Sequence, residues 1–413
     1  MKITAIRDNQ IKTYKESNKI KNVITLILVS IFCIPGEVRY AVLGRSLGLV
    51  NYAAITMLLY VVAISIKNYN KRYLVFIYSI LIYYIATFSI YEKNIPSTVI
   101  VTVSYILPLL FIGVKVSYET LENIFKKLLY MLNFIVIIIT VIGILESILG
   151  IDVYTHLFSI LTPRTQELIL QQKSFGLYRL YSFMGHPLLN TQLYLMFFIL
   201  NSIYSKYFKI ILPNTLLIVI SLIGIGMTAS KTGFILIIIS IFITSHNKNK
   251  INYIIMLILV LIVILFTDIF DNTIVRFMSG SLTTGRAEAW ENVLSKGLFP
   301  IKFFTGYGQG FTFEYGNYVK WASGAFEYPI RMFSLELGKF MAILIYICIG
   351  IIPTFILLKR RHIYLFISYM ILFLDVNTYN GLALAGDYML IFSLFIFIIL
   401  NLSRCLEEKR CYY

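Results

Sequence analysis

Twelve apolar runs, most of them long enough to cross a lipid bilayer, divide this chain and leave it little choice of solvent. They fall near residues 20–36, 46–66, 73–91, 97–114, 128–149, 183–204, 210–228, 232–245, 251–268, 340–358, 363–380 and 384–402. A spanning helix needs roughly 20 apolar residues. Within the hydrocarbon an isolated strand would leave its amides and carbonyls unpaired, so helices are the form available. Composition agrees: 59% of the 413 residues are hydrophobic and 14% charged, more apolar surface than a water-soluble body of this size hides. The expected fold class is all-α, a polytopic integral membrane protein of about 12 transmembrane helices forming one membrane domain over residues 1–413. The eighth run is short and the sixth carries Asn190 and Gln192, so these two look least like lipid-facing helices.

The stretch ahead of the first run is polar and basic, and no small-residue cleavage site follows that run; it reads as a retained helix. Cys33, Cys348, Cys405 and Cys411 show neither metal-ligand nor disulfide-framework spacing and read as structural thiols.

Orientation follows from Lys and Arg, which collect on the cytoplasmic side of membrane helices. With the N-terminus inside, the inner segments are 1–21, 67–72, 115–127, 205–209, 246–250, 359–362 and 403–413. They hold 22 Lys and Arg against 6 Asp and Glu, the remainder holds 14 against 14, and so the whole net charge of +16 falls on one side. Both termini are expected in the cytoplasm. This distribution is a topological signature and calls for no nucleic acid.

Two outer segments, near 150–182 and 269–339, far exceed the tight connections elsewhere, and segments of that length usually carry function. They contain Trp290, Trp321 and many Tyr and Phe, so ordered short helices are expected in them. Glu37, Arg39, Arg45, Glu146, Lys231, Asp268, Asp271, Glu336, Lys339, Asp375 and Asp387 all fall near outer helix ends. Carriers place charges at the midplane instead. The pattern favours an enzyme working at the outer interface.

Four segments offer chemistry. Thr283-Thr284-Gly285-Arg286, running through Trp290 to Gly297, reads as a short helix capped at Thr284 or Gly285 and stopped by Gly297. Arg286 then occupies the first turn, where the dipole disfavours a cation by roughly 0.3–1 kcal/mol. A cation beside free helix amides suits a phosphate or diphosphate; the plainer reading pairs Arg286 with Glu288 or Glu291 or leaves it in water. The following Thr305-Gly306-Tyr307-Gly308 lacks the Gly-Lys-Ser/Thr of a nucleotide loop and reads as a turn.

In the first long segment, Arg179 precedes Gly185-His186-Pro187. His186 reads either as a general acid–base group or as a polar residue ending a helix. In the tight turn Thr228-Ala229-Ser230-Lys231-Thr232-Gly233, Lys231 reads either as a phosphate ligand or as a side chain snorkelling to the headgroups. Glu327 and Arg331 lie four apart, on one helical face unless Pro329 breaks the helix first. Glu327 reads either as a general base for a sugar hydroxyl or as the partner of an arginine.

In this order, these pieces resemble the bacterial O-antigen and capsular-polysaccharide polymerase (Wzy-type) and O-antigen ligase superfamily. The matching residues are Arg179, Gly185-His186-Pro187 and Asn190; Thr228-Ala229-Ser230-Lys231-Thr232-Gly233; Thr284-Gly285-Arg286 with Trp290 and Gly306-Tyr307-Gly308; and Glu327-Tyr328 with Glu336-Leu337-Gly338. The resemblance covers roughly residues 170–345 and the topology of the whole chain. It implies a membrane glycosyltransferase in the bacterial cytoplasmic (inner) membrane, with its active site on the outer face. Sugars would pass from a polyprenyl diphosphate to a lipid-linked repeat unit, with inversion and without cofactor or metal. Arg179, Arg286, Lys231 and Arg331 would hold the departing diphosphate, and Glu327 or His186 would take the hydroxyl proton. The implied partners are a polyprenyl-diphosphate-linked oligosaccharide and membrane lipid, with a chain-length regulator and a flippase as further candidates.

The chain has Ser230-Lys231 where the family commonly has Ser-Arg, which loses bidentate geometry but keeps the charge. Metal-using membrane glycosyltransferases tend to carry an acidic pair in the first outer loop, whereas Gly36-Glu37-Val38-Arg39 has one carboxylate; no metal is expected. Ligases of the family tend to carry a histidine in the large outer loop, and residues 269–339 contain none, which favours a polymerase. The alternatives are ligase-type transfer to another acceptor, and a lipid-linked oligosaccharide flippase or transporter.

Overall fold

The computed structural model describes residues 2–90, 94–147, 161–174, 178–244, 270–278, 285–319 and 325–410. The expected ninth run (251–268), Thr283, Thr284 and Trp321 lie outside the described residues. Among the described residues every regular element is helical, apart from an isolated bridge between Ser182 and Gly185.

Helix α1 (Lys2–Phe32) stops ahead of Pro35, and the chain turns by 80° into α2 (Gly36–Gly48). Helices α3 (Tyr52–Ile64), α4 (Lys71–Ile90), α5 (Ile95–Gly113) and α6 (Tyr118–Ser147) follow. The first long segment contributes α7 (Pro163–Ser174), and then come α8 (Pro187–Tyr207), α9 (Asn214–Thr228) and α10 (Lys231–Thr244). The second long segment contains α11 (Asp271–Met278), α12 (Arg286–Ser295), α13 (Phe311–Tyr318) and α14 (Pro329–Glu336). Last are α15 (Lys339–Lys359), α16 (Ile363–Val376) and α17 (Tyr388–Arg410).

By length and composition α4, α5, α6, α15 and α17 can each cross a bilayer, and α1 with α2 makes a sixth if the bent pair is one span. The protein is therefore an all-helical chain with the apolar helices of a membrane protein. Helices α3, α9, α10 and α16 are apolar but only 13 to 15 residues long, roughly 20–22 Å at 1.5 Å per residue. A short apolar helix is tolerated in lipid where protein covers its end. The α9–α10 turn is such a case, since Thr228, Ala229, Ser230 and Lys231 are all buried.

The second apolar run, expected from residue 46, becomes a helix only at Tyr52. Asn51 caps it, its side-chain oxygen accepting the Ala54 amide at 3.0 Å. Of the apolar residues ahead of that cap, Leu47 belongs to α2, which leaves Val42, Leu43 and Leu47 on its surface.

The sixth run is α8, and its polar residues have a structural cause. Helix α8 lies among α6, α9, α10 and α16 and is buried on nearly every face. Asn201 and Asn133 exchange amide hydrogen bonds at 2.7 and 3.2 Å. Asn190 donates to the Leu180 carbonyl and accepts from Ser182, both at 2.7 Å. A helix surrounded by protein can carry such groups as long as they pair.

Candidate functional site

The site is assembled from both long segments and the turn after α16. Gly285 holds a left-handed backbone (φ 79°) that turns the chain into α12, a conformation glycine adopts at little cost. Arg286 is the first helical residue, as expected. Its guanidinium finds acceptors outside α12: Nη1 donates to the Thr378 carbonyl at 2.9 Å and Nη2 pairs with the Glu327 carboxylate. Glu327, and not Glu288 or Glu291, is its ionic partner. The two side chains are 18% and 41% exposed, so the pair contributes little to stability, about 0–1 kcal/mol.

Pro329 decides the geometry of Glu327 and Arg331. It takes the first position of α14, where its missing N–H costs nothing, and Tyr328 ahead of it is extended. Glu327 is thus outside the helix, and the four-residue pairing with Arg331 does not form. Arg331 instead donates to the Arg286 and Ala325 carbonyls at 3.4 and 3.2 Å. Its guanidinium lies 4.8 Å from the Trp290 ring centroid and 4.5 Å from that of Tyr328. Burial pulls the Arg331 pKa below the usual arginine value, with Tyr328 opposing. Two guanidiniums, one carboxylate and two aromatic rings therefore meet at the start of α12.

Gly306-Tyr307-Gly308 packs against α14, the helix that carries Arg331, with two of its amides committed to backbone carbonyls. The Tyr307 and Gly308 amides donate to the Leu335 and Glu336 carbonyls at 2.8 and 3.0 Å. A Cβ on Gly306 would lie 2.0 Å from the Glu336 oxygen, so only glycine permits the approach. The Glu336 carboxylate accepts the Thr312 hydroxyl at 2.5 Å and its amide at 3.3 Å. Burial pushes its pKa up to about 7, against the opposing effect of those hydrogen bonds.

Arg179 and Lys231 belong to a second cluster, at the turn between α9 and α10. Arg179 Nε donates to the Thr228 carbonyl at 3.0 Å, and the Leu180 amide to the Met227 carbonyl at 2.9 Å, so the first long segment is stitched to the end of α9. Ala229 takes a left-handed conformation (φ 52°) without being glycine, a strain of the kind often stored at functional turns. Ser230 then accepts the Gly233 amide at 3.1 Å and starts α10. Lys231 is 7% exposed; it faces protein, and the snorkelling reading is set aside.

His186 caps α8. Its Nδ1 accepts the Leu188 amide at 3.2 Å, and its ring meets the Tyr181 ring edge-on at 5.8 Å. With Nδ1 committed as an acceptor, a neutral ring carries its proton on Nε2. That leaves the imidazole a donor, and the geometry gives His186 a capping role.

A chain of polar contacts joins the two clusters. Arg286 holds Thr378; the neighbouring Tyr379 hydroxyl donates to Gln192 Oε1 at 2.7 Å; Thr191 donates to the Thr228 hydroxyl at 2.9 Å; and the Thr228 carbonyl receives Arg179. Thr378, Tyr379, Gln192 and Thr191 were not legible as site residues. The available signal was weak: Gln192 inside an apolar run, and a polar string from Asp375 to Asn380 closing another.

Comparison of the chain with family models, with curated proteins and with solved structures found no match.

Proposed function

We propose that this protein is a polysaccharide polymerase that transfers sugar chains from a polyprenyl diphosphate to a lipid-linked repeat unit, inverting the anomeric centre without a metal. It works at the outer face of the bacterial cytoplasmic membrane, in a chain of about twelve spans with both termini inside. The observation that carries this reading is the convergence of Arg286, Arg331 and Glu327 at a helix N-terminus, joined by polar contacts to Arg179 and the Lys231 turn.

The chemistry needs a leaving diphosphate stabilised more in the transition state than in the ground state. Arg286 and Arg331 meet its charge at the amides of α12, and Arg179 and Lys231 meet it from the α9–α10 turn. Glu327 begins as the counter-ion of Arg286. A diphosphate carries more charge than one carboxylate, so it displaces Glu327 from the guanidinium.

The test uses purified protein in liposomes and the polyprenyl-diphosphate-linked oligosaccharide extracted from a strain lacking the gene. A ladder of lengthening chains, lost in Arg286→Ala, is expected. No ladder from that substrate would sink the polymerase reading and shift attention to another acceptor or to transport.

A further inference from the structure

Between α12 and α13 the chain runs without regular structure and exposes Ile301, Phe303 and Phe304, the two rings at 48% and 60%. Single exposed apolar side chains are ordinary. Three within four residues, with Leu294 and Leu298 exposed just ahead of them, form a patch that needs a cover.

The patch sits against two helices long and apolar enough to cross a bilayer. The Lys302 and Phe303 carbonyls accept the Lys339 and Phe340 amides at 3.1 and 2.8 Å, and the Phe304 carbonyl accepts the Tyr83 hydroxyl. Lys339 and Phe340 open α15, so their amides have no acceptor within that helix. Phe340 gathers the rings: Tyr83 meets it edge-on at 5.1 Å, and Phe303 and Phe304 lie 6.0 and 6.1 Å away. Tyr83 stands seven residues before the end of α4 at Ile90, about 10 Å along the axis at 1.5 Å per residue. Helical side chains tilt toward the N-terminus, so its hydroxyl is not raised toward that end. Phe304 is therefore level with the last turns of one apolar helix and the first turn of another.

The surroundings suit lipid. Ile343, one turn from Phe340 on the same face of α15, is exposed as well, so the apolar surface runs on from helix to loop. Irregular backbone is tolerated at the edge of hydrocarbon where its polar groups are satisfied, and the carbonyls of residues 302–304 are. Lys302, whose Nζ lies 4.1 Å from the Tyr307 centroid, and Lys339 are exposed among these rings. Aromatic side chains mixed with lysines mark the level of the headgroups. Past Phe304 the chain is locked to the arginine cluster. A Cβ on Gly338 would lie 2.7 Å from the Thr305 nitrogen, and the Tyr307 amide donates to the Leu335 carbonyl of α14.

We propose that residues 301–304 are a membrane-dipping anchor. Phe303 and Phe304 enter the bilayer interface at the outer ends of α4 and α15, Lys302 and Lys339 meet its phosphates, and α14 with Arg331 is tethered to the bilayer through them. The partner is lipid because the patch continues the surface of helices that lipid must cover. The anchor rests on the membrane reading of α4 and α15 and is independent of the glycosyl-transfer reading.

The experiment places the purified protein in liposomes of phosphatidylcholine and phosphatidylglycerol containing a phospholipid with a diazirine near the head of its acyl chain. After irradiation, adducts are mapped by mass spectrometry. They are expected on Phe303 or Phe304 and on Ile82 or Ile85 of α4, and not on Glu288 or Glu291 of α12. Adducts on α4 with none at 303–304 overturn the anchor and leave the membrane reading standing; a soluble partner would then be the cover. Absence from α4 as well overturns both. Depth is read with a nitroxide on Phe304→Cys, in a chain whose four cysteines are replaced by alanine. Dissolved oxygen should relax that label more than a water-soluble nickel chelate does, as for a label on Ile82→Cys and opposite to one on Glu291→Cys. A label at 304 that behaves like the one at 291 overturns the anchor. If the cysteine-free chain does not fold, the adducts on the wild-type protein decide.

Discussion

Arg39 and Arg286 each answer a carboxylate near the ends of the apolar helices, in very different surroundings. Arg39, on α2, meets Asp387 at 2.8 Å with side chains 6% and 9% exposed, and its other nitrogen donates to the Ile34 carbonyl at 2.8 Å. Glu37, two residues earlier, accepts the Thr162 amide at 2.6 Å and the Thr165 hydroxyl at 2.7 Å. These charges are consumed within the protein: they fix the elbow between α1 and α3, the start of α17 and the base of α7. The Arg286–Glu327 pair is half-open, rests on one carbonyl and lies beside a second guanidinium. The same pairing of residue types builds structure where it is buried and is available for exchange where it is not, because removing one partner strands a charge only in the dry case.

The sharpest way to break this comparison is Arg39→Ala, which leaves Asp387 buried and uncompensated. It should cost about 3–5 kcal/mol, measured by equilibrium unfolding in mixed micelles, and Arg39→Met with Asp387→Leu should recover most of the loss. Unfolding of Arg39→Ala at the wild-type midpoint would remove the distinction between the pairs. Arg286→Ala should do the reverse, with stability changed by less than about 1 kcal/mol and ladder synthesis reduced by about 100–1,000-fold.

A smaller effect concerns Glu336, whose pKa is raised by burial to about 7. A carboxylate with a raised folded pKa gives stability that is fully present below its unfolded value of about 4.5 and is lost as pH climbs through about 7. The packing of residues 305–312 on α14 should therefore loosen between pH 5 and pH 8, by up to about 3 kcal/mol. Hydrogen exchange at the Tyr307 and Gly308 amides would record it, and Glu336→Gln should flatten the dependence. Smallest is Thr228→Val, which removes the hydroxyl joining α8 to the Arg179 anchor. A loss of about 1 kcal/mol is expected, with a modest rise in half-saturating substrate; no change in either would show that the two clusters act separately.

Much of the site was legible because each motif obeys a local rule. Gly285 starts a helix and Arg286 breaks the dipole preference, whereas Pro329, expected as a helix breaker, opens α14. Arg179 and Lys231 stood out as cations just ahead of apolar runs. What those cations touch was not legible. Glu327 is far from Arg286 along the chain, and the nearer Glu288 and Glu291 looked equally suitable. Phe303 and Phe304 counted only as two aromatics among many, since nothing local distinguishes a ring that faces outward from one packed inside.

By itself, the sequence determined that this chain is helical and apolar enough for lipid, because hydrocarbon accepts few backbone forms and periodicity and length can be read residue by residue. It also marked the segments where polar chemistry gathers. Tertiary structure alone decided which apolar runs are full-length helices and which stop short under a polar cover, and why α8 can hold Asn190, Gln192 and Asn201. It also decided which charges are spent and which remain available. Those outcomes depend on burial and on partners distant in sequence, and both are properties of the packed chain.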